Sequence, residues 1–213
     1  MRLDHVSYVA SHDQISDVVN RIGSQIGTAF VDGGIHPKFG TRNFTAPLLN
    51  DQYIEVVCPM DHPATDSTPF GMAVKNKAEQ GGGWLTWVVS TDNLLFLEKN
   101  IGRESVIGQR RKPSGAELTW KQIGVLNLLN NAQMPFFIQW LSGTHPSKDG
   151  TPKALLSKVN LNGNKAEIES LIGSELGSII PELCITQDSN EKDLNLGLFS
   201  IELDINGKTI VID

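Results

Sequence analysis

The chain opens MRLDHVSYVAS, where apolar and polar side chains alternate with a period of two, as in a half-buried strand. Val6, Tyr8 and Ala10 then share one face, and His5, Ser7 and Val9 the other. From Ile15 the period changes. Ile15, Val18, Val19 and Ile22 recur at helical spacing and form one apolar stripe. Ser11 and Gln14 read as a capping box before that helix, and Gly23 as its left-handed stop.

This strand-helix pattern recurs. His5–Gly23 (HVSYVASHDQISDVVNRIG) aligns without a gap with Trp84–Gly102 (WLTWVVSTDNLLFLEKNIG), at an offset of 84 − 5 = 79 residues. Val9/Val88, Ser11/Ser90, Asp13/Asp92, Ile22/Ile101 and Gly23/Gly102 are identical; Ser7/Thr86, Tyr8/Trp87 and Gln14/Asn93 are close substitutions. Further on, His36-Pro37 parallels Lys112-Pro113. Gln52–Val57 (QYIEVV) parallels Phe136–Leu141 (FFIQWL), each followed shortly by His-Pro. Two more strands fit between helix and last strand, with Asn50-Asp51 and Asn130-Asn131 as turn candidates. Each copy is therefore a β-α-β-β-β unit, spanning about residues 1–60 and 83–146, and the two make a domain of residues 1–150.

A third, shorter unit is predicted over residues 151–213. Leu156–Gly177 aligns with Val6–Gly27, and Leu183–Gln187, Leu198–Ile205 and Thr209–Ile212 supply three strands, the last two joined at Asn206-Gly207. Gly/Pro-rich breaks near 59–83 and 142–153 separate the units. The expected class is α+β: two βαβββ units paired into a cup, plus a βαβββ-like unit that packs on them or on a second copy in a homodimer.

Strand parity assigns chemistry to one face. His5, Ser7 and Val9, with Tyr53, Glu55 and Val57, fall opposite the apolar Ile54 and Val56. In the second unit Trp84, Thr86 and Val88, with Phe137, Gln139 and Leu141, fall opposite Ile138 and Trp140. Such mixed polar-aromatic faces suit a shared binding hollow rather than a solvated sheet. The formal net charge of −6 argues against a nucleic-acid partner. No apolar run approaches the length of a membrane span, and the N-terminus has no signal-peptide core. Two cysteines, Cys58 and Cys184, make no disulfide framework and no metal spacing, so a cytoplasmic location is expected.

Paired β-α-β-β-β units, LDHVSYV at the start, GGIHPKFGTRN at Gly33–Asn43, QYIEVV, and PFFIQW with its following His-Pro resemble one family: a glyoxalase-like domain of the vicinal oxygen chelate superfamily. The resemblance covers about residues 1–146, and the GGxHxxxGTxN stretch is its most specific part. It implies a cup whose floor holds a divalent metal, with ligands from the first and last strand of each unit. Those positions are His5, Glu55, Trp84 and Gln139. Trp84 cannot ligate, and Gln139 stands where a carboxylate is common. The implied metal site is therefore His5 and Glu55, for Zn, Fe, Mn or Ni if a metal binds, with His36 as a further donor if its hairpin folds over the cup.

Under this resemblance Glu55 and His36 are the candidate proton-moving catalytic residues. Arg42 and Asn43 line the mouth with His36, Arg42 pairing with a carboxylate or enolate. Tyr53, Trp84, Phe137 and Gln139 line the cup. Arg110, Arg111 and Lys112 suggest a cationic mouth, or else a solvated basic hairpin. His5 is equally a strand histidine bonded to Glu55. Three functions stay open: a metal-dependent lyase, isomerase or dioxygenase acting on a small oxygen-rich, anionic metabolite; a metal-free small-molecule binding or sequestering protein, with the aromatic lining in its favour; and a scaffold whose third unit makes a dimer.

Overall fold

The computed structural model describes residues 1–186 and 196–213. Gln187, the end of one predicted strand, lies outside the described residues. The first unit is β1 (Arg2–Val9), α1 (Ile15–Ile26), β2 (Val31–His36), β3 (Thr41–Pro47) and β4 (Tyr53–Pro59). Helices α2 (Pro63–Ser67) and α3 (Pro69–Glu79) lead to the second: β5 (Gly83–Ser90), α4 (Leu95–Ile101), β6 (Val106–Arg111), β7 (Glu117–Ile123), α5 (Val125–Asn130) and β8 (Phe136–Ser142). The third comprises β9 (Leu155–Asn162), α6 (Lys165–Ile172), α7 (Leu176–Ile179), β10 (Leu183–Thr186), β11 (Gly197–Ile205) and β12 (Lys208–Ile212).

The first eight strands close into a barrel in the order β1-β4-β3-β2-β6-β7-β8-β5, so the two first strands lie side by side, antiparallel. Their ladder pairs Ser7 with Thr86, positions related by the repeat itself (86 − 7 = 79), which puts a pseudo-twofold axis through that pair. The closing strands obey the same offset: Val57 lies beside Val9, and Phe136 beside Val88. The match of QYIEVV to FFIQWL has an offset of 84, and 84 − 79 = 5 is odd, so it swaps every side chain of β8 to the wrong face. Phe136, Ile138 and Trp140 point into the barrel. Phe137 packs in the core outside it.

Two bulges refine the β1–β5 seam. One extra residue, Asp4, stands between Leu3 and His5; another, Leu85, stands between Trp84 and Thr86. The second reverses parity, so Trp84 leaves the barrel interior and donates its Nε1–H to the Ile212 carbonyl at 3.2 Å.

Helix α1 runs one turn beyond the predicted stop. Ile26 continues the buried stripe of Ile15 and Ile22, and Gly27, at φ 64°, provides the left-handed end. Its first turn has no side-chain cap; Ser11 bonds the Gln14 side chain instead. The break at 59–83 is largely helical: Phe70, Ala73 and Val74 of α3 are buried, and Phe70 and Val74 join Val9, Val57, Val88 and Phe136 in an apolar plug. Asn50-Asp51 is a two-residue hairpin turn with both residues at positive φ, whereas Asn130-Asn131 ends α5.

The last four strands form a sheet in the order β10-β9-β11-β12. Its element order follows the unit plan, but β9 pairs directly with β10, the strand that follows the helices, where β1 pairs with β4, the last strand of its unit. The sheet packs on the paired units of its own chain. Leu156, Val159, Leu161, Ile201 and Leu203 meet Leu3, Val6, Trp84, Trp87 and Val89 in one core that also takes in α1. Each fully buried side chain there, such as Leu161, contributes about 2 kcal/mol of transfer free energy.

Candidate functional site

Inward-facing side chains of seven barrel strands meet in one cavity, with Phe39 and Phe70 added from the β2–β3 turn and α3. As its side chains stand, the cavity has a volume of about 30 Å³. Its polar members are His5, His36, Asn43, Tyr53, Glu55, Arg110 and Gln122; its apolar wall includes Trp120, Phe136 and Trp140. Glycines make the room. A Cβ on Gly33 would meet Asn43 Oδ1 at 2.2 Å and Arg110 Nη1 at 2.8 Å, and one on Gly34 would meet the Arg111 carbonyl oxygen at 1.9 Å. Gly34 also sits at φ 97°, so the GG pair lets β2 close on β6 without filling the cup.

The Asp4 bulge sets up an acid-histidine pair. Asp4 Oδ1 lies 2.8 Å from His5 Nδ1, and Oδ2 accepts from Trp140 Nε1 at 3.1 Å and lies 3.2 Å from His145 Nε2. Burial works against the charge of Asp4, but the bonds and charges of His145 and His5 outweigh it and hold the carboxyl well below the usual range. An ionised carboxylate only accepts, so His5 donates from Nδ1, and its Nε2 lies 3.9 Å from Glu55 Oε2. The His5 ring is stacked on Tyr53 with centroids 4.3 Å apart.

Glu55 is only 4% exposed. Burial pushes its carboxyl up, yet the neighbouring His5 and His36 and the hydrogen bonds donated by Ser7 Oγ (2.6 Å) and Asn43 Nδ2 (2.7 Å) bring it below the ordinary value. Burial likewise pushes the Tyr53 phenol well above its usual range, with the negative charges of Asp4 and Glu55 adding to it. His36 bonds Thr41 Oγ1 through Nδ1 at 2.9 Å. Burial lowers its pKa to about 4; Glu55 opposes this, while Arg110 and His5 reinforce it. Arg110 is 3% exposed, and its Nε and Nη2 have no hydrogen-bond partner. Its contact with Asp149 is long, 3.9 Å, and Lys112 holds that carboxylate at 2.6 and 2.7 Å.

The description "Glyoxalase-like domain" belongs to a family model that matches residues 3–175 of this chain. The chain belongs to this family. The glyoxalase-like resemblance of its motifs is thereby shown. No curated protein matches the sequence. Among solved structures, a hypothetical protein from Staphylococcus aureus is 15% identical with a TM-score of 0.57, over 99% of this chain and 84% of that one. Methylmalonyl-CoA epimerase from Mycobacterium tuberculosis is 13% identical with a TM-score of 0.44, over 67% and 89%. A variant of the Streptomyces coelicolor epimerase, in complex with 2-nitronate-propionyl-CoA, is 15% identical with a TM-score of 0.43, over 69% and 98%. The first shows the shared fold; the epimerases are too distant to bear on chemistry here.

Within this glyoxalase-like barrel, His5, His36, Asn43, Tyr53 and Glu55 come together. Four other predicted lining residues do not. Arg42 alternates with Thr41 and Asn43, so it points outward and pairs with Asp32. Trp84 is turned out by its bulge, and Phe137 and Gln139 lie on the outward face of β8, where Gln139 Nε2 donates to the Asp92 carbonyl at 2.6 Å. Their places are taken by Arg110, Trp120, Phe136 and Trp140. Arg110 was visible as part of a basic hairpin. Asp4 gave no signal, because a period-two reading places it away from His5.

The donor set does not fit the divalent metal that the family implies. Both Glu55 oxygens already accept hydrogen bonds, from Ser7 and Asn43, and Asp4 is committed to His5, His145 and Trp140. The repeat counterpart of Glu55, at offset 79, is Met134, packed against the outer core. Among the described residues no three His, Cys, Asp or Glu side chains form a group able to hold a metal ion, His36 included.

The buried His36 makes a test of this electrostatic picture. Its folded pKa near 4 lies below the ordinary histidine value of 6.5, so between those pH values the unfolded chain binds more protons. Its contribution is complete above about pH 6.5 and is lost as pH falls toward 4, by on the order of 3 kcal/mol. Urea denaturation at pH 7 and pH 4.5 should show this loss, and His36→Gln should reduce it. Equal losses in both proteins would mean that His36 is protonated in the fold.

Proposed function

We propose that the barrel cup binds a small oxygen-rich anion through Arg110 and moves a proton on it, in a lyase- or isomerase-type reaction. The observation that carries this is the Arg110 side chain: a buried guanidinium whose Nε and Nη2 make no hydrogen bond, its one carboxylate contact the long 3.9 Å approach of Nη2 to Asp149, on a residue that lines the same cavity as His5 and Glu55. Such a group is costly to bury alone and is matched by a carboxylate or enolate entering the cup. His5, aimed by Asp4, and ionised Glu55 flank one spot in the cavity. Either can take a proton from carbon beside the bound carboxylate, while Arg110 faces the negative charge that develops. Tyr53 and His36 stay neutral and offer hydrogen bonds without repelling the anion. The donor set gives no support to a metal-dependent version. The aromatic wall of Trp120, Phe136 and Trp140 favours a second reading, a protein that sequesters the same anion without turning it over.

A panel of 2-oxo and 2-hydroxy carboxylates tests this, with binding read by thermal shift and deuterium exchange next to the carboxylate read by NMR. Binding is expected to vanish in Arg110→Met and to survive in Arg42→Ala. Exchange should fall at least 100-fold in Glu55→Gln and His5→Gln, with binding retained. Binding without exchange in the wild type would favour sequestration. No binding by any member would overturn the reading.

A further inference from the structure

A second cavity adjoins the cup. It has a volume of about 160 Å³ and shares the side chains of Phe39, Phe70 and Gln122 with the cup as a common wall. On its far side the lining is apolar: Pro69, Ile101, Val106, Ile123, Val125 and Leu126. Arg103 and Glu104, in the loop between α4 and β6, are the charged members of that lining. The cup is therefore not the whole recognition surface. Its polar end holds Arg110, His5 and Glu55, and across one layer of side chains lies an apolar space of larger volume.

The dividing layer is one side chain thick, two packed aromatic rings and a glutamine. Phe39 sits in the turn between β2 and β3, and Phe70 at the start of α3; the rings meet edge to face with centroids 5.7 Å apart. Neither ring makes a polar bond that its rotation would break. Gln122 is held from the cup side, accepting from Trp120 Nε1 at 2.8 Å.

We propose that the ligand of the cup is amphipathic: a carboxylate head on Arg110 and an apolar body that passes the Phe39–Phe70 pair into the second cavity. This rests on the anion reading of the cup and narrows it to carboxylic acids carrying a hydrocarbon chain. A short polar acid would leave the adjoining apolar volume without an occupant; a chain continuous with the head fills it and gains affinity with each methylene removed from water.

Straight-chain carboxylic acids from acetate to decanoate, titrated calorimetrically below their micelle-forming concentrations, are the probe. Once the chain outgrows the cup, each added methylene should raise affinity about four-fold, the equivalent of about 0.8 kcal/mol. Leu126→Trp, which fills the second cavity, should flatten that rise, and Arg110→Met should abolish binding at every length. The wild-type series is decisive even if Leu126→Trp fails to fold. Binding that Arg110→Met removes but that does not grow with chain length overturns this inference and leaves the anion reading standing. A rise that persists unchanged in a folded Leu126→Trp places the chain elsewhere and also overturns it. No binding at any length overturns both.

Discussion

A chain ended after Lys153 is expected to be insoluble, although it would contain every strand of the barrel. Truncation there removes the sheet that covers the β1–β5 seam and uncovers Leu3, Val6, Trp84, Trp87 and Val89, a contiguous apolar surface on two neighbouring strands. It also strands the buried Trp84 indole, whose hydrogen-bond acceptor is the Ile212 carbonyl. Point variants grade the same effect. Leu161→Ala and Ile201→Ala should each cost about 2–5 kcal/mol, since both are fully buried between the sheet and the barrel. Soluble yield and denaturant midpoints measure both. A truncated chain that stays soluble with an unchanged midpoint would show the barrel to be self-sufficient.

Arg110→Met is expected to act in opposite directions on binding and on stability. Loss of a charge-assisted contact in a buried cavity should weaken short carboxylates by at least about 100-fold, beyond calorimetric detection. The empty protein should nevertheless gain about 1 kcal/mol or more. Methionine has similar bulk and no unpartnered polar atoms, and Asp149 keeps its partner Lys112. Calorimetric titration and urea denaturation on the same preparation check both halves. A variant that loses stability along with binding would mean that Arg110 is held by structural partners and does not await a ligand.

What the sequence disclosed follows from where its signals are local. The gapless repeat exposes the two paired units because Ser7 and Thr86 sit on the axis that relates them. In the first unit, parity finds His5, Tyr53 and Glu55, since β4 runs without a bulge in register with β1. In the second unit the same rule fails for two physical reasons. Leu85 is an extra residue that turns Trp84 outward, and β8 keeps the 79-residue offset of the first strands where its resemblance to QYIEVV suggests 84. Bulges and register are set by tertiary pairing, so alternation along one strand does not reveal them. The Arg42 reading failed more simply: Asn43 and Arg42 are adjacent on one strand and cannot both face inward.

The repeat also leaves the cup chemically lopsided. Its imidazoles and its carboxylate, His5, His36 and Glu55, come from the first unit; its guanidinium and both indoles, Arg110, Trp120 and Trp140, come from the second. Two copies of the first unit about the same axis would set two Asp4–His5 pairs and two Glu55 side chains against each other, a concentration of negative charge that only a cation could bridge. Two copies of the second would hold paired guanidiniums and no base. Duplication supplied the barrel, and the divergence of its halves put the imidazoles and the carboxylate on one side and the guanidinium and indoles on the other. The two units of this chain are no longer interchangeable parts, and it is their difference that decides the sign of what the cavity can admit.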